Sequence, residues 1–216
     1  MRTNIVIPMK DPRLSKTRLH PHLSGGQRQA LALSMFKTTL SFFKRYFSQH
    51  HLLVVTGSEY IADIARNYGA SVLIETKLGL RQAVESAARW SLNNHFQSQL
   101  LIPADIAELD HKEFERLLMT HRPAPSVVLC PAYDLGTNAL LTTPPNVIPF
   151  LYGIDSSIAH QNAAHERGIA CQVMNLPALA LDIDTPSDLE LLSLLSSPVT
   201  QELNRLCKIG KLGKTA

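Results

Sequence analysis

The sequence predicts an α/β fold in three layers, a mostly parallel β-sheet covered on both faces by helices. Three observations predict it. Short apolar runs rich in β-branched residues (NIVIPM, LLVVT, SVVLC) recur along the chain and read as buried strands. Between them lie segments whose apolar residues recur at helical spacing. Charged and small polar residues gather just after the strands, where open α/β sheets build their sites. At 216 residues and 45% hydrophobic content, the chain can bury one substantial core.

Taken in order, Asn4–Met9 is the first strand, with Pro8 near its end. The polar loop 10–26 follows and carries Lys10, Arg13, Lys16 and Arg18. Ser24 caps a long helix reaching about Phe47, with Leu31, Met35, Phe36, Thr39, Leu40 and Phe43 at helical spacing. Leu52–Thr56 is a second strand, and Ser58 starts a helix that stops at Gly69. Ser71–Ile74 is a third strand, and 79–96 is helical by its alanine and leucine content. Gln99–Pro103 is a fourth strand, ending at Ala104-Asp105, and Asp110 caps a helix to about His121. Ser126–Cys130 is a fifth strand and Asn138–Thr142 a candidate sixth. Pro144, Pro145 and Pro149 then mark an irregular excursion. Asp155–Gly168 reads as a helix and Cys171–Leu176 as a strand. The stretch LDIDTPSDL ends a strand at Asp184 and starts a last helix, with Thr185 as N-cap and Pro186 at the first helical position, running to about Leu195. We expect one domain over 1–197 and a basic tail over 198–216, a short helix or a frayed end.

Composition excludes several classes. A net charge of +3, with no long basic run, does not argue for nucleic acid. Cys130, Cys171 and Cys207 are far apart and odd in number, which fits reduced thiols in a cytosolic setting; the first two lie in apolar runs and read as small hydrophobes. The segment MRTNIVIPMKD has no long apolar stretch of the signal-peptide kind. No apolar run approaches the roughly 20 residues of a membrane span. The expectation is a soluble cytoplasmic protein with no membrane partner.

The chemistry sits at the strand ends. Asp182 and Asp184, at i and i+2, share a face in extended backbone and suit a hard cation such as Mg²⁺; a solvated acidic loop with a capped helix is the alternative. Asp105, closing Pro-Ala-Asp, either caps a turn or joins them as a third carboxylate. Lys10, Lys16 and Arg18 suit a ligand with several phosphates, or form a solvated basic loop; neither a P-loop nor G-x-G-x-x-G is present. Gly136-Thr137-Asn138 is a turn with backbone N–H groups for an anion, and Gly153 with Ser156-Ser157 opens a helix where a phosphate can sit. A tight turn and an N-cap are the plain alternatives. His160 lies on the same helix and is a site candidate, although a lone histidine is more often structural. Asp188 falls in the first turn of the last helix, where an acid favours the dipole. No zinc spacing, nucleophile elbow or activated cysteine is present. Cations, carboxylates and phosphate cradles without a covalent nucleophile point to phosphoryl or nucleotidyl transfer.

In combination PMK, KTRL, PAD, GTNAL, G-x-x-S with His160 four residues on, and LALDIDTPSDL resemble the guanylyltransferases of deazaflavin coenzyme (coenzyme F-420) biosynthesis, over about Ile5 to Leu192. The resemblance implies a nucleotidyltransferase fold, Rossmann-like and glycosyltransferase-A-like. It implies GTP as donor and a phosphorylated three-carbon acid as acceptor: 2-phospho-L-lactate, phosphoenolpyruvate or 3-phospho-D-glycerate. It assigns Asp105, Asp182 and Asp184 to Mg²⁺. Lys10, Lys16 and Arg18 become the catalytic cations on the nucleotide phosphates. Thr137, Gly153 and Ser156 take the acceptor phosphate, with Asn138 and His160 on the same substrate side. The product would pass to a transferase that joins it to the deazaflavin core. One departure is PAYDL before GTN, in place of an Asp-Arg pair and a glycine-rich turn. The alternatives are a nucleotidyltransferase with a sugar, alcohol or molybdopterin acceptor, a nucleotide-sugar glycosyltransferase, or a silent nucleotide-binding protein. The sequence leaves the oligomeric state open, with a homodimer as the common default and Pro144–Phe150 as a segment that could serve it.

Overall fold

The computed structural model describes residues 3–20, 22–75, 79–120, 123–195 and 198–212. Strand β1 (Thr3–Pro8) shows why helices cover both faces of the sheet. Successive side chains point to opposite sides. Ile5 and Ile7 enter one apolar cluster with Phe36, Phe43, Ile61 and Phe114, whereas Val6 enters another with Val84, Ala87 and Ala163.

The remaining strands are β2 (His51–Thr56), β3 (Ser71–Ile74), β4 (Ser98–Leu101), β5 (Ser126–Pro131), β6 (Thr137–Thr143) and β7 (Ala170–Val173). They form one sheet in the order β3-β2-β1-β4-β6-β5-β7. β6 runs antiparallel to β4 and β5, and the other pairings are parallel. Helices α1 (Gly25–Tyr46), α2 (Glu59–Asn67) and α4 (His111–Met119) supply the cluster on one face; α3 (Leu80–Asn93) and α5 (Ser156–Glu166) supply the other. The three-layer, mostly parallel α/β architecture is the one the sequence predicts. Its strand order reverses between β1 and β4, so a crevice opens beyond their carboxyl ends. Because β6 is inverted, its first residues, Thr137 and Asn138, reach that same rim.

Local chemistry accounts for the elements. Ser24 opens α1 with a capping box: its Oγ accepts from Gln27 N, and Gln27 Oε1 accepts from Ser24 N. Asp110 caps α4 by accepting from Glu113 N at 2.9 Å. That helix ends at Met119; His121, its expected end, lies outside the described residues.

One expectation changes and two others are given detail. The LDID stretch is not a sheet strand: Asp182 makes a single antiparallel bridge to Ile106, and β7 stops at Val173. The segment around Pro144–Phe150 is irregular, as expected; Ile148 and Phe150 are buried in the chain's own core, whereas Pro144 and Asn146 are exposed. Residues 198–212 form helix α7, which lays Val199, Leu203 and Leu206 against Leu31 and Met35 of α1 and Leu192 of α6 (Pro186–Ser193). Gln27 Nε2 donates to Leu206 O at 2.8 Å and ties the same seam.

Cys130 is buried, and burial pushes its thiol up to about 12, so it packs as an inert hydrophobe. Cys130 and Cys171 form no disulfide, and the side chain of Cys207 lies outside those described. Among the described residues no helix is long and apolar enough to cross a membrane.

Phe114 meets the rings of Phe42, Phe43 and Phe47 at centroid distances of 5.2, 5.1 and 6.2 Å. Phe114→Ala leaves a cavity among these rings and should cost about 3–5 kcal/mol, read as a lowered urea midpoint at unchanged m-value.

Candidate active site

The crevice is walled first by the loop after β1. Lys10 stands exposed at its start and pairs with no carboxylate among the described residues. Asp11 caps a 3₁₀ turn, Pro12–Leu14, and binds the exposed Arg13 at 2.6 Å. A second 3₁₀ turn, Thr17–Leu19, follows. Between the two, Lys16 takes a left-handed backbone (φ 56°, ψ 35°), an unfavourable state for a non-glycine residue of the kind that collects at functional sites. Leu19 anchors the loop in the cluster that holds Leu31, Met35 and Ile183. The Lys16 side chain is only 4% exposed, and its Nζ sits 2.5 Å from Asp105 Oδ2. Asp105 follows β4, the sheet neighbour of β1. A second pair, Arg18 Nη1 to Asp184 Oδ2 at 3.0 Å, spans the open side.

The LDID stretch is laced to the loop after β4. Ile183 N donates to Asp105 O at 3.0 Å, and Ala107 N donates to Leu181 O at 2.8 Å. Ile183 is fully buried, so Asp182 and Asp184 turn the other way, as the alternation requires. Asp188 Oδ2 accepts from Asp184 N (2.9 Å), Thr185 N (2.6 Å) and Thr185 Oγ1 (2.9 Å), fixing the backbone that carries Asp184. Glu113 accepts from Ala178 N and Leu179 N at 3.2 and 3.0 Å. Asn138 Nδ2 then donates to Leu179 O (2.9 Å) and Asp182 Oδ1 (3.1 Å). Asn138, expected among substrate-binding groups, is here a strut beneath Asp182.

Asp182 is the electrostatic weak point. Burial, and then the negative charge of Asp105, push its carboxyl up to about 6; the Asn138 bond and Lys16 pull the other way. Asp105, Asp182 and Asp184 are the expected metal ligands; among the described residues no group of three or more His, Cys, Asp or Glu side chains is already arranged to hold a metal ion, while Asp105 lies near enough to Asp182 to raise its carboxyl. Asp105 is matched by Lys16 and Asp184 by Arg18, while Asp182 has no cation bonded to it among the described residues. The donor chemistry nevertheless fits a hard divalent ion, because oxygen ligands with an uncompensated negative charge are what such an ion stabilises.

The other wall is made of hydroxyls. Thr137 Oγ1 lies 3.0 Å from Ser156 Oγ and 3.1 Å from His160 Nδ1. Leu151 N donates to His160 Nε2 at 2.9 Å. His160 is fully buried with both ring nitrogens engaged, and burial pushes it down to about 4, so it stands neutral behind the hydroxyls with no ring atom free for a ligand. Ser157 gives both its N–H and its hydroxyl to Leu135 O, at 3.1 and 2.8 Å. The expected helix-end cradle is thus reduced to Ser156 and its neighbour Thr137. Gly153 lies in the exposed turn before α5 at φ 145°, a conformation that favours glycine. The departing loop 132–136 joins the two walls, since Tyr133 N donates to Ala180 O and Leu135 O receives Ser157.

Sequence reasoning missed Glu113 and gave Asp188 only a dipole role. For Asp188 a signal existed, because Thr185 followed by an acid three residues on is a capping pattern. For Glu113 none did, since its partners are backbone groups 65 and 66 residues away.

The chain matches the family model described as guanylyl transferase CofC like over residues 3–210. It is 84% identical over 208 residues to the 3-phospho-D-glycerate guanylyltransferase of Colwellia psychrerythraea strain 34H, covering 96% of this chain and 99% of that one. The phosphoenolpyruvate guanylyltransferase of Rubrobacter xylanophilus is 33% identical over 185 residues, 85% and 90% of the two chains. Among solved structures, a putative nucleotide-diphospho-sugar transferase from Desulfovibrio desulfuricans G20 superposes with a TM-score of 0.76 at 15% identity, covering 97% and 98% of the two chains, a likeness of fold.

A carboxyl raised from 3.8 to about 6 holds its proton more tightly folded than unfolded, so it costs stability once it ionises. Asp182→Asn should therefore stabilise the chelator-treated, ligand-free protein by roughly 1–2 kcal/mol at pH 8. The gain should shrink as pH falls through about 6 and vanish below about 4, read from thermal midpoints across that range.

Proposed function

The chain belongs to the CofC-like guanylyl transferase family, and on that premise we propose that it transfers GMP from GTP to the phosphate of 3-phospho-D-glycerate, releasing pyrophosphate. The observation that carries the reaction class is the alternation of cation and carboxylate across the β1–β4 crevice: Lys16 with Asp105, Arg18 with Asp184, and the under-compensated Asp182 between them. The choice of acceptor rests on the 84% identity to a relative named for that acid.

In this reading an oxygen of the acceptor phosphate attacks the α-phosphorus of GTP. A new P–O bond forms, the bond from the α-phosphorus to the bridging oxygen breaks, and pyrophosphate leaves with the electron pair. Both partners are anions, and two unit charges about 4 Å apart repel by about 4 kcal/mol at intermediate dielectric. Lys10, Lys16 and Arg18 offset that repulsion on the nucleotide side. Lys16 and Arg18 would exchange Asp105 and Asp184 for phosphate oxygens as the nucleotide arrives, which frees both carboxylates for a cation. Mg²⁺, held by Asp105, Asp182 and Asp184, would supply further neutralisation of phosphate oxygens. Thr137 and Ser156 would receive the acceptor phosphate, with Gly153 in the turn beside them. The guanylylated acid would then serve a transferase that joins it to a deazaflavin core. Phosphoenolpyruvate is the second candidate acceptor, favoured by the relative named for it.

The Arg18–Asp184 pair is exposed, 70% and 41% at the two side chains, and such pairs contribute about 0–1 kcal/mol to folding. Asp184→Ala should hence leave the unfolding midpoint almost unmoved while GTP-dependent pyrophosphate release falls on the order of 100-fold or more. Supplying GTP with each phosphorylated acid in turn, and identifying products by mass, tests the acceptor; CTP in place of GTP should give no product.

A further inference from the structure

The Thr137–Ser156–His160 cluster holds more hydrogens than it can use. Leu151 N–H is a donor and points at His160 Nε2, so Nε2 carries the lone pair and the ring proton sits on Nδ1. Nδ1–H then donates to Thr137 Oγ1. Thr137 and Ser156 share one further bond, in whichever direction it runs. Three groups bring one N–H and two O–H hydrogens to two mutual bonds, so one hydroxyl hydrogen is left over. It belongs to side chains buried to within a few per cent, Thr137 at 7% and Ser156 at 2% exposure. A buried donor of this kind calls for an acceptor. With the opposite tautomer Thr137 would donate to the ring, Ser156 would donate to Thr137, and nothing would remain for a ligand.

We propose that His160 is a positioning residue that fixes the Thr137–Ser156 pair as a hydrogen-bond donor to the phosphate of the acceptor acid, and so sets affinity for that acid without touching it. An ionised phosphate oxygen, which only accepts, is the matching group. The depressed basicity of the buried ring agrees, because an imidazolium would turn a second N–H against Leu151 N–H. This inference rests on reading the hydroxyl wall as the acceptor side of the site.

The test is calorimetric titration of 3-phosphoglycerate and, separately, of GTP with Mg²⁺ into the folded wild-type, His160→Phe, His160→Asn and Ser156→Ala proteins, the acid being titrated with and without a GTP analogue blocked at the α–β bridge. His160→Phe should weaken the acid at least about tenfold and leave GTP within about twofold. His160→Asn, whose amide can donate from near the Nδ1 position, should recover most of the loss. Adding His160→Phe to Ser156→Ala should cost little beyond the larger single loss, because both act on one hydrogen. Unchanged acid affinity in folded His160→Phe, equal losses for acid and GTP, or a wild-type protein that binds no phosphorylated acid would each overturn the proposal. If His160→Phe does not fold, His160→Gln, whose amide reaches the Nε2 position toward Leu151 N but not the Nδ1 position toward Thr137, carries the same expectations. A wild-type protein that binds the acid, yet forms no product with GTP, would retire guanylyl transfer and leave the His160 comparison intact.

Discussion

A lysine ammonium almost wholly removed from water cannot stand alone, and the carboxylate of Asp105 answers Lys16. The pair joins the loops after β1 and β4, the two strands between which the sheet order reverses. The left-handed backbone at Lys16 is the conformational cost of reaching that partner. Leu19, Leu31 and Ile183 pack beneath it, so the same apolar cluster that seats the cationic loop also seats the acidic one. Charge attraction above and hydrophobic burial below act on the same two loops.

From Asp105 the constraint spreads through backbone groups. Ile183 N–H reaches Asp105 O, Asp188 holds the amides of Asp184 and Thr185, and Asn138 braces Asp182 from the inverted strand. Glu113, on α4, holds the turn whose carbonyl Asn138 also grips. The carboxylates that would meet a cation are therefore held by groups that never meet it, as supporting shells around metal sites generally require. Asp182 shows what this arrangement costs, since it is kept where burial and Asp105 both disfavour its charge.

Much of this was legible in the sequence, for physical reasons. The strands were readable because buried parallel strands are continuous apolar runs, and the helices because their apolar faces repeat at helical spacing. Lys10, Lys16, Arg18 and Asp105 were found because they follow strands, and the others because they sit at a turn, a helix start or an acidic i, i+2 pair. Less legible was what each one touches. LALDID looks like another strand, yet its partner is the irregular loop at Ile106, and no pattern within LDID specifies a partner. The bond from His160 to Thr137 spans 23 residues, and Asn138 reaches 44 residues to Asp182. Such pairings are set by the sheet order, which no local spacing encodes. The C-terminal helix was one of the two forms expected, and Val199, Leu203 and Leu206 at i, i+4 and i+7 form the amphipathic stripe that favours it over a frayed end.

The inverted strand β6 has a consequence for how such a protein can diversify. It divides the sheet into a block of four parallel strands, β3-β2-β1-β4, whose rim carries Lys10, Lys16, Arg18 and Asp105, and a later block whose rim carries Thr137 and Ser156. The β4–β6 pairing joins the blocks through the sheet, and at the rim the bonds from Asn138 to Asp182 and between the 105–107 and 181–183 stretches join them again. Changes of side chain in the later block can reshape one pocket while the charged half keeps its register. A fold divided in this way lets one partner molecule be exchanged for another by drift in a single contiguous stretch of the gene, with the more demanding half of the chemistry inherited unaltered.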